Sequence, residues 1–108
     1  MKNKPKDSPS KPEKTKQLTD LIYRASQMLC PHSELNKISE IINKGINVNR
    51  ADRLGSTPLM LAVLYNYLDL IHLLVERGAN RYAKNINNMT AFDIAIYHKN
   101  DEAIKLLR

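Results

Sequence analysis

The chain changes character near Leu18. Residues 1–17 are dominated by Lys, Pro, Ser, Asn and Thr, with no large apolar side chain after Met1. They have little to bury against the entropy of ordering and are expected to form a disordered tail. From Leu18 onward apolar residues recur at helical spacing, and 18–108 is expected to fold as one domain. The pattern is clearest in the middle. Leu59, Leu61, Ala62 and Val63 make the apolar face of a helix that the Thr57 hydroxyl can cap and that Pro58 suits as first residue. Asn66 stands where the chain must turn and tolerates a left-handed backbone. A second amphipathic helix is predicted from about Leu68 to Arg77, stopped by Gly78. Thr90 and Asp93 have the spacing of a capping box, while Gly55 and Asn88 mark turns in the connecting segments.

The pattern repeats after 33 residues. That shift lays Thr57 on Thr90, Ala62 on Ala95, Leu73 on Leu106 and Leu74 on Leu107. It also pairs Asp52 with Asn85, Gly55 with Asn88, Leu59 with Phe92, Leu61 with Ile94, Asp69 with Glu102 and Ile71 with Ile104. Carried backward, it lays Gly45 on Gly78, Asn47 on Asn80, Ile38 on Ile71, Ile41 on Leu74 and Ile42 on Val75. The grammar is helix, turn, helix, loop, in units of about 18–51, 52–84 and 85–108. The first unit is irregular: with Ala25 laid on Ala62, four extra residues fall around Cys30-Pro31-His32-Ser33, and Glu40 stands where Leu73 does. A terminal unit differs from an internal one because one of its faces meets water, and both ends are expected to act as caps.

The period, together with Thr57-Pro58-Leu59-Met60-Leu61-Ala62, Asp52-x-x-Gly55 before it and Leu73-Leu74-Val75-Glu76-Arg77-Gly78-Ala79-Asn80 after it, resembles the ankyrin-repeat family. The resemblance implies an all-α solenoid of stacked helix-turn-helix units joined by hairpin-like loops. Met60 replaces the family's usual His, and Ala91 and Asp93 replace its Pro and His in the next unit. That His holds loop backbone, so looser loops are implied, with Asp93 able to accept a backbone hydrogen bond instead. In this register Leu59, Leu61, Ala62, Leu70, Ile71, Leu74, Val75, Ile94 and Ala95 are expected to form the core between units. Apolar residues make up 43% of the chain and aromatics 6%, with no Trp, so that core rests on aliphatic side chains, which suits helices packed on helices.

Charge and chemistry narrow the function. Of the net charge of +6, six Lys against Asp7 and Glu13 place +4 within residues 1–16. The basic balance is mostly a property of the tail, and nucleic acid is not the expected partner. Lacking interleaved aromatics, the tail offers only salt-sensitive, sequence-independent attraction. An alternative function is therefore tail-mediated binding to nucleic acid or an anionic membrane, with the repeats as scaffold. The longest apolar run, Leu59 to Tyr65, is far short of the ~20 residues of a membrane span. No apolar stretch of a signal peptide follows the basic start. The single Cys30 excludes an internal disulfide framework and fits a reducing compartment. A soluble, cytoplasmic protein is expected, monomeric or weakly oligomeric. The abundance of Lys, Asn and Ile fits an AT-rich genome, and the family's small members in intracellular bacteria imply delivery into a host cell if the source is one of these.

No catalytic set emerges. Cys30 has His32 two residues away but no orienting third group. His32, His72 and His98 lack ligand partners at metal-binding spacing, and Gly45, Gly55 and Gly78 never cluster as in a phosphate-binding loop. Neither enzyme activity, metal nor cofactor is expected. The resemblance instead implies a protein-binding module that grips its partner through loop tips and the concave inner-helix face. By register these positions are Arg53, Leu54, Ser56, Leu64 and Tyr65 in the middle unit, Ile86, Asn87, Met89, Tyr97 and His98 in the last, and Lys84 between them. Apolar Leu54, Leu64, Ile86 and Met89 have no reason to face water on a merely solvated surface, and Tyr65 and Tyr97 have the character of interface anchors. Asn66 to Leu68 and the outer-helix residues Asp69, His72, Glu76 and Arg77 are expected to form an ordinary solvated face.

Overall fold

Short helices with strong start and stop signals set the architecture. A computed structural model describes residues 14–27 and 32–108, arranged as α1 (Lys14–Ser26), α2 (His32–Asn43), α3 (Pro58–Leu64), α4 (Leu68–Glu76), α5 (Ala91–Tyr97) and α6 (Asp101–Leu107). α1 begins at Lys14, inside the stretch read from sequence as tail; the rest of that tail and Cys30 lie outside the described residues. α3 starts as its residues dictate. Thr57 is extended at φ −88°, and its side chain accepts the Met60 N–H at 3.2 Å, with Pro58 in the first turn. At α5 the capping box is complete: the Asp93 N–H donates to the Thr90 hydroxyl at 3.1 Å, and the Thr90 N–H donates to the Asp93 carboxylate at 3.0 Å. Asp93 thus takes the backbone hydrogen bond its position suggested. α4 ends with Arg77 at its C-cap, followed by Gly78 at φ 84°.

The helices pair as α1 with α2, α3 with α4 and α5 with α6, and the pairs stack. α1, α3 and α5 form one layer, α2, α4 and α6 the other. Each helix buries one stripe against its neighbours. On α1 the stripe is Leu18, Ile22 and Ala25, at helical spacing; on α2 it is Ile38 and Ile42; on α4 it is Leu70, Ile71 and Leu74. α3, with neighbours on both sides in its layer, is buried from Pro58 through Val63. The expected core residues are buried, except that Val75 is only partly covered and packs against the cluster from its edge. Glu40, at the Leu73 position, is exposed.

The first pair takes up part of its extra length at the start of α2: in the register that lays Ile38 on Ile71, α4 begins at the equivalent of Leu35, whereas α2 begins three residues earlier, at His32. The last pair exposes what the middle pair hides. Val63 on α3 is 1% exposed, whereas its register partner Ile96 on α5 is 50% exposed, because α5 is the last inner helix of the described stack.

Successive units turn alike. Asn66 and Lys99, one period apart, are both left-handed at φ 60° and 55°. Asn supports this conformation, Lys less readily. Lys99 is exposed, so Lys99→Gly is expected to raise stability by about 0.5 kcal/mol, relief of backbone strain outweighing the added freedom of the unfolded chain. A thermal melt checks it; a lower midpoint would show the turn needs its β-carbon.

Candidate functional site

The connecting segments form one edge of the stack, and their shape follows from two equivalent side chains. Asp52 Oδ1 accepts the N–H groups of Leu54 and Ser56, each at 2.9 Å, while the Asp52 N–H donates to the Ser56 carbonyl. One period later Asn85 Oδ1 accepts from Asn87 at 2.9 Å and Met89 at 3.0 Å, and its N–H donates to the Met89 carbonyl. An acceptor oxygen at this position folds the loop back on itself whether the side chain is acid or amide. The two tips then join: the Ile86 N–H donates to the Leu54 carbonyl at 2.9 Å. Gly55 permits that approach. It is left-handed at φ 75°, and a β-carbon there would lie 2.9 Å from the Asn85 Cα. Further links run between units at the base of the loops, from the Asn80 N–H to Asn49 Oδ1 at 2.6 Å and from Arg77 to the Asn43 side chain.

This edge carries large apolar side chains into solvent. Leu54 is 58% exposed, Ile86 69% and, at the end of α5, Tyr97 75%. Leu64 at the end of α3 is exposed as well. Between them opens a cleft of about 210 Å³, lined on the α3 side by Ser56, Met60, Leu61 and Leu64 and on the α5 side by Asn85, Met89, Ile94, Tyr97 and His98. Five of the residues chosen from sequence, Ser56, Leu64, Met89, Tyr97 and His98, meet in its walls. Leu54 and Ile86 flank it at the loop tips, with Arg53, Lys84 and Asn87 exposed beside them.

Three chosen residues are less free than their register suggested. Ser56 is half-buried in its turn, and Met89 packs against the core from its edge. Tyr65 is also half-buried, its ring 6.5 Å from that of Tyr23 on α1 and 6.1 Å from that of Tyr67. Desolvation, and secondly the neighbouring Tyr65, hold the Tyr67 phenol above its ordinary pKa. Sequence reasoning missed Tyr23, whose place in the irregular first unit no register fixes, and Tyr82, an exposed aromatic in the 77–90 connection that lacks an aromatic counterpart one period away at Asn49.

The outer helices are solvated as expected, but the turn before α4 is not: Asn66 is exposed, whereas Tyr67 and Leu68 are half-buried and pack against the core, because their apolar side chains find cover there that the register did not suggest. Asp69, His72, Glu76 and Arg77 are exposed, and His72 Nε2 lies 3.1 Å from the Glu76 carboxylate. A larger cleft of about 350 Å³ opens away from the loops, between α2 and the start of α4, with a mixed lining in which His32, Asn36, Ser39 and Asp69 stand beside Leu35, Tyr67, Leu68 and Leu70. His32, His72 and His98 sit on separate units, and among the described residues no group of three His, Cys, Asp or Glu side chains could hold a metal ion.

Stacked helix pairs, shared caps and hairpin tips bonded from unit to unit are the features by which relatives can be recognised. The family model for ankyrin repeats, three copies, matches residues 22–108. The chain belongs to the ankyrin-repeat family. It is 32% identical over 79 residues to an ankyrin repeat protein of Rickettsia bellii (strain RML369-C), covering 68% of this chain and 11% of that one. It is 39% identical over 72 residues to the mouse ankyrin repeat and SAM domain-containing protein 6, covering 65% and 8%. It is 33% identical over 87 residues to serine/threonine-protein kinase 12 of Arabidopsis thaliana, covering 81% and 18%. The chain therefore spans less than a fifth of the length of each of these relatives. Ankyrin repeats are generally protein-interaction modules and generally not enzymes. No helix among the described residues is long and apolar enough to cross a membrane.

Proposed function

We propose that this ankyrin array binds a partner protein through its loop tips and the adjoining concave ends of α3 and α5, as an adaptor, inhibitor or effector without catalytic chemistry of its own. The observation that carries the reading is the exposure around one cleft of Leu54 and Ile86, on loops tied to each other by a backbone hydrogen bond, and of Leu64 and Tyr97, on helices α3 and α5. Apolar side chains held in water on a rigid frame lose little conformational freedom when a partner covers them, and the central large ones dominate the affinity. The Ankyrin scaffold leaves the choice of partner to such side chains.

Leu54, Ile86 and Tyr97 test the face better than Tyr65 or Met89, because the latter pack against other groups and their removal would also disturb the fold. A partner is first isolated on the full chain by affinity capture and identified by mass spectrometry. The variant Leu54→Ser, Ile86→Ser, Tyr97→Ser is then expected to retain its helicity while binding that partner roughly a hundredfold more weakly. Unchanged affinity in the folded variant would remove this face from the account.

A further inference from the structure

Charge is unevenly placed along the fold, in a way the overall balance hides. The connecting segments 44–57 and 77–90 carry Lys44, Arg50, Arg53, Arg77, Arg81 and Lys84 against Asp52 alone, a net of +5. The remainder of 18–108 has a net charge of −3, with Asp69, Asp101 and Glu102 in the first turns of α4 and α6, at the opposite end of the helices. The single carboxylate of the loop edge is already engaged, its oxygen accepting the Leu54 and Ser56 N–H groups. Arg53 and Lys84 are exposed and meet no carboxylate among the described residues. Both lie on the joined tips: Arg53 precedes Leu54, whose carbonyl accepts the Ile86 N–H, and Lys84 stands two residues before Ile86. Two cations, Arg53 and Lys84, therefore stand beside Leu54 and Ile86 on tips held together by a backbone hydrogen bond.

We propose that this edge takes an acidic protein segment, in which carboxylates pair with Arg53 and Lys84 while apolar side chains cover Leu54 and Ile86. The inference rests on the docking face described above and adds the chemistry of the partner. Complementary charge speeds encounter and rejects basic competitors, and apolar contact supplies the hold. A nucleic acid would satisfy the cations but would leave Leu54 and Ile86, both more than half exposed, against phosphate and water.

The test selects from a displayed library of short random peptides on the full chain. Enriched peptides are then measured by fluorescence polarisation against Arg53→Glu/Lys84→Glu, Leu54→Ser/Ile86→Ser and a single-stranded oligonucleotide competitor, with circular dichroism confirming that both variants fold. The expected result is enrichment of Asp and Glu interspersed with Leu, Ile or Phe. Affinity should fall roughly tenfold or more in the charge-reversed variant and should weaken as salt is raised. A selection that enriches no acidic sequence overturns the acidic partner; if its peptides still lose affinity with Leu54→Ser/Ile86→Ser, the docking face itself stands. Acidic peptides bound equally by both variants overturn the face as well. An oligonucleotide that binds more tightly than the peptides, and is lost on charge reversal, assigns the edge to nucleic acid instead.

Discussion

Ile71→Ala is expected to destabilise the protein by about 3 kcal/mol, the range for truncating a fully buried aliphatic side chain in a core that relaxes only partly. Ile71 is fully buried on α4, which stacks on both α2 and α6. In a linear stack each unit is held by its neighbours, so a defect in the middle weakens both interfaces at once. Against a total stability of about 5–15 kcal/mol for an ordinary domain, such a loss is a large share. Denaturant unfolding should show a lower midpoint with an unchanged slope. Ile104→Ala supplies the comparison: one period later on α6, with only partial burial, it should cost about half as much, since less apolar surface returns to water. Equal losses at the two sites would contradict the stacking order, because they would place α6 as deep as α4.

Gly55→Ala should have an effect of similar size by a different route, about 3 kcal/mol. A β-carbon in the left-handed region costs about 1–2 kcal/mol by itself. Here it also meets the Asn85 Cα at 2.9 Å and the Ile86 nitrogen at 3.1 Å, both backbone atoms that cannot rotate away. Relieving the clash means parting the tips and losing the bond from the Ile86 N–H to the Leu54 carbonyl. Gly78→Ala isolates the first term. Gly78 is also left-handed, at φ 84°, but nothing lies within 4 Å of the added carbon, so about 1–2 kcal/mol is expected. Amide exchange at Ile86 should rise in Gly55→Ala and stay slow in Gly78→Ala. If both variants lost equal stability with Ile86 still protected, the two tips would not be coupled as described.

Much of the fold was legible because a repeat is read several times over. Thr57 and Thr90 as caps, Asn66, Gly55 and Asn88 as left-handed turns, and Ile71 and Leu74 as core each follow from local chemistry and from a partner one period away. Lys99 was legible by the same register, as the counterpart of Asn66, although its residue type hid it. The first unit was the hardest to read. α1 has no regular counterpart, so nothing in the sequence placed Tyr23 against Tyr65, and Tyr65 read as a free anchor when it is half-buried in an aromatic cluster. The candidate face was legible as positions but not as chemistry. Arg53 and Lys84 lie 31 residues apart in sequence, and only the bond between the loop tips brings them onto one edge with Leu54 and Ile86.

Hydrogen–deuterium exchange of the full chain with and without its captured partner reads directly which surface the partner covers. Added protection is expected over residues 53–56 and 84–89 and at the ends of α3 and α5, near Leu64 and Tyr97, with α2, α4 and α6 unchanged on their solvent side. Protection confined to those outer helices, with the loop tips exchanging as in the free protein, would contradict the proposed docking face.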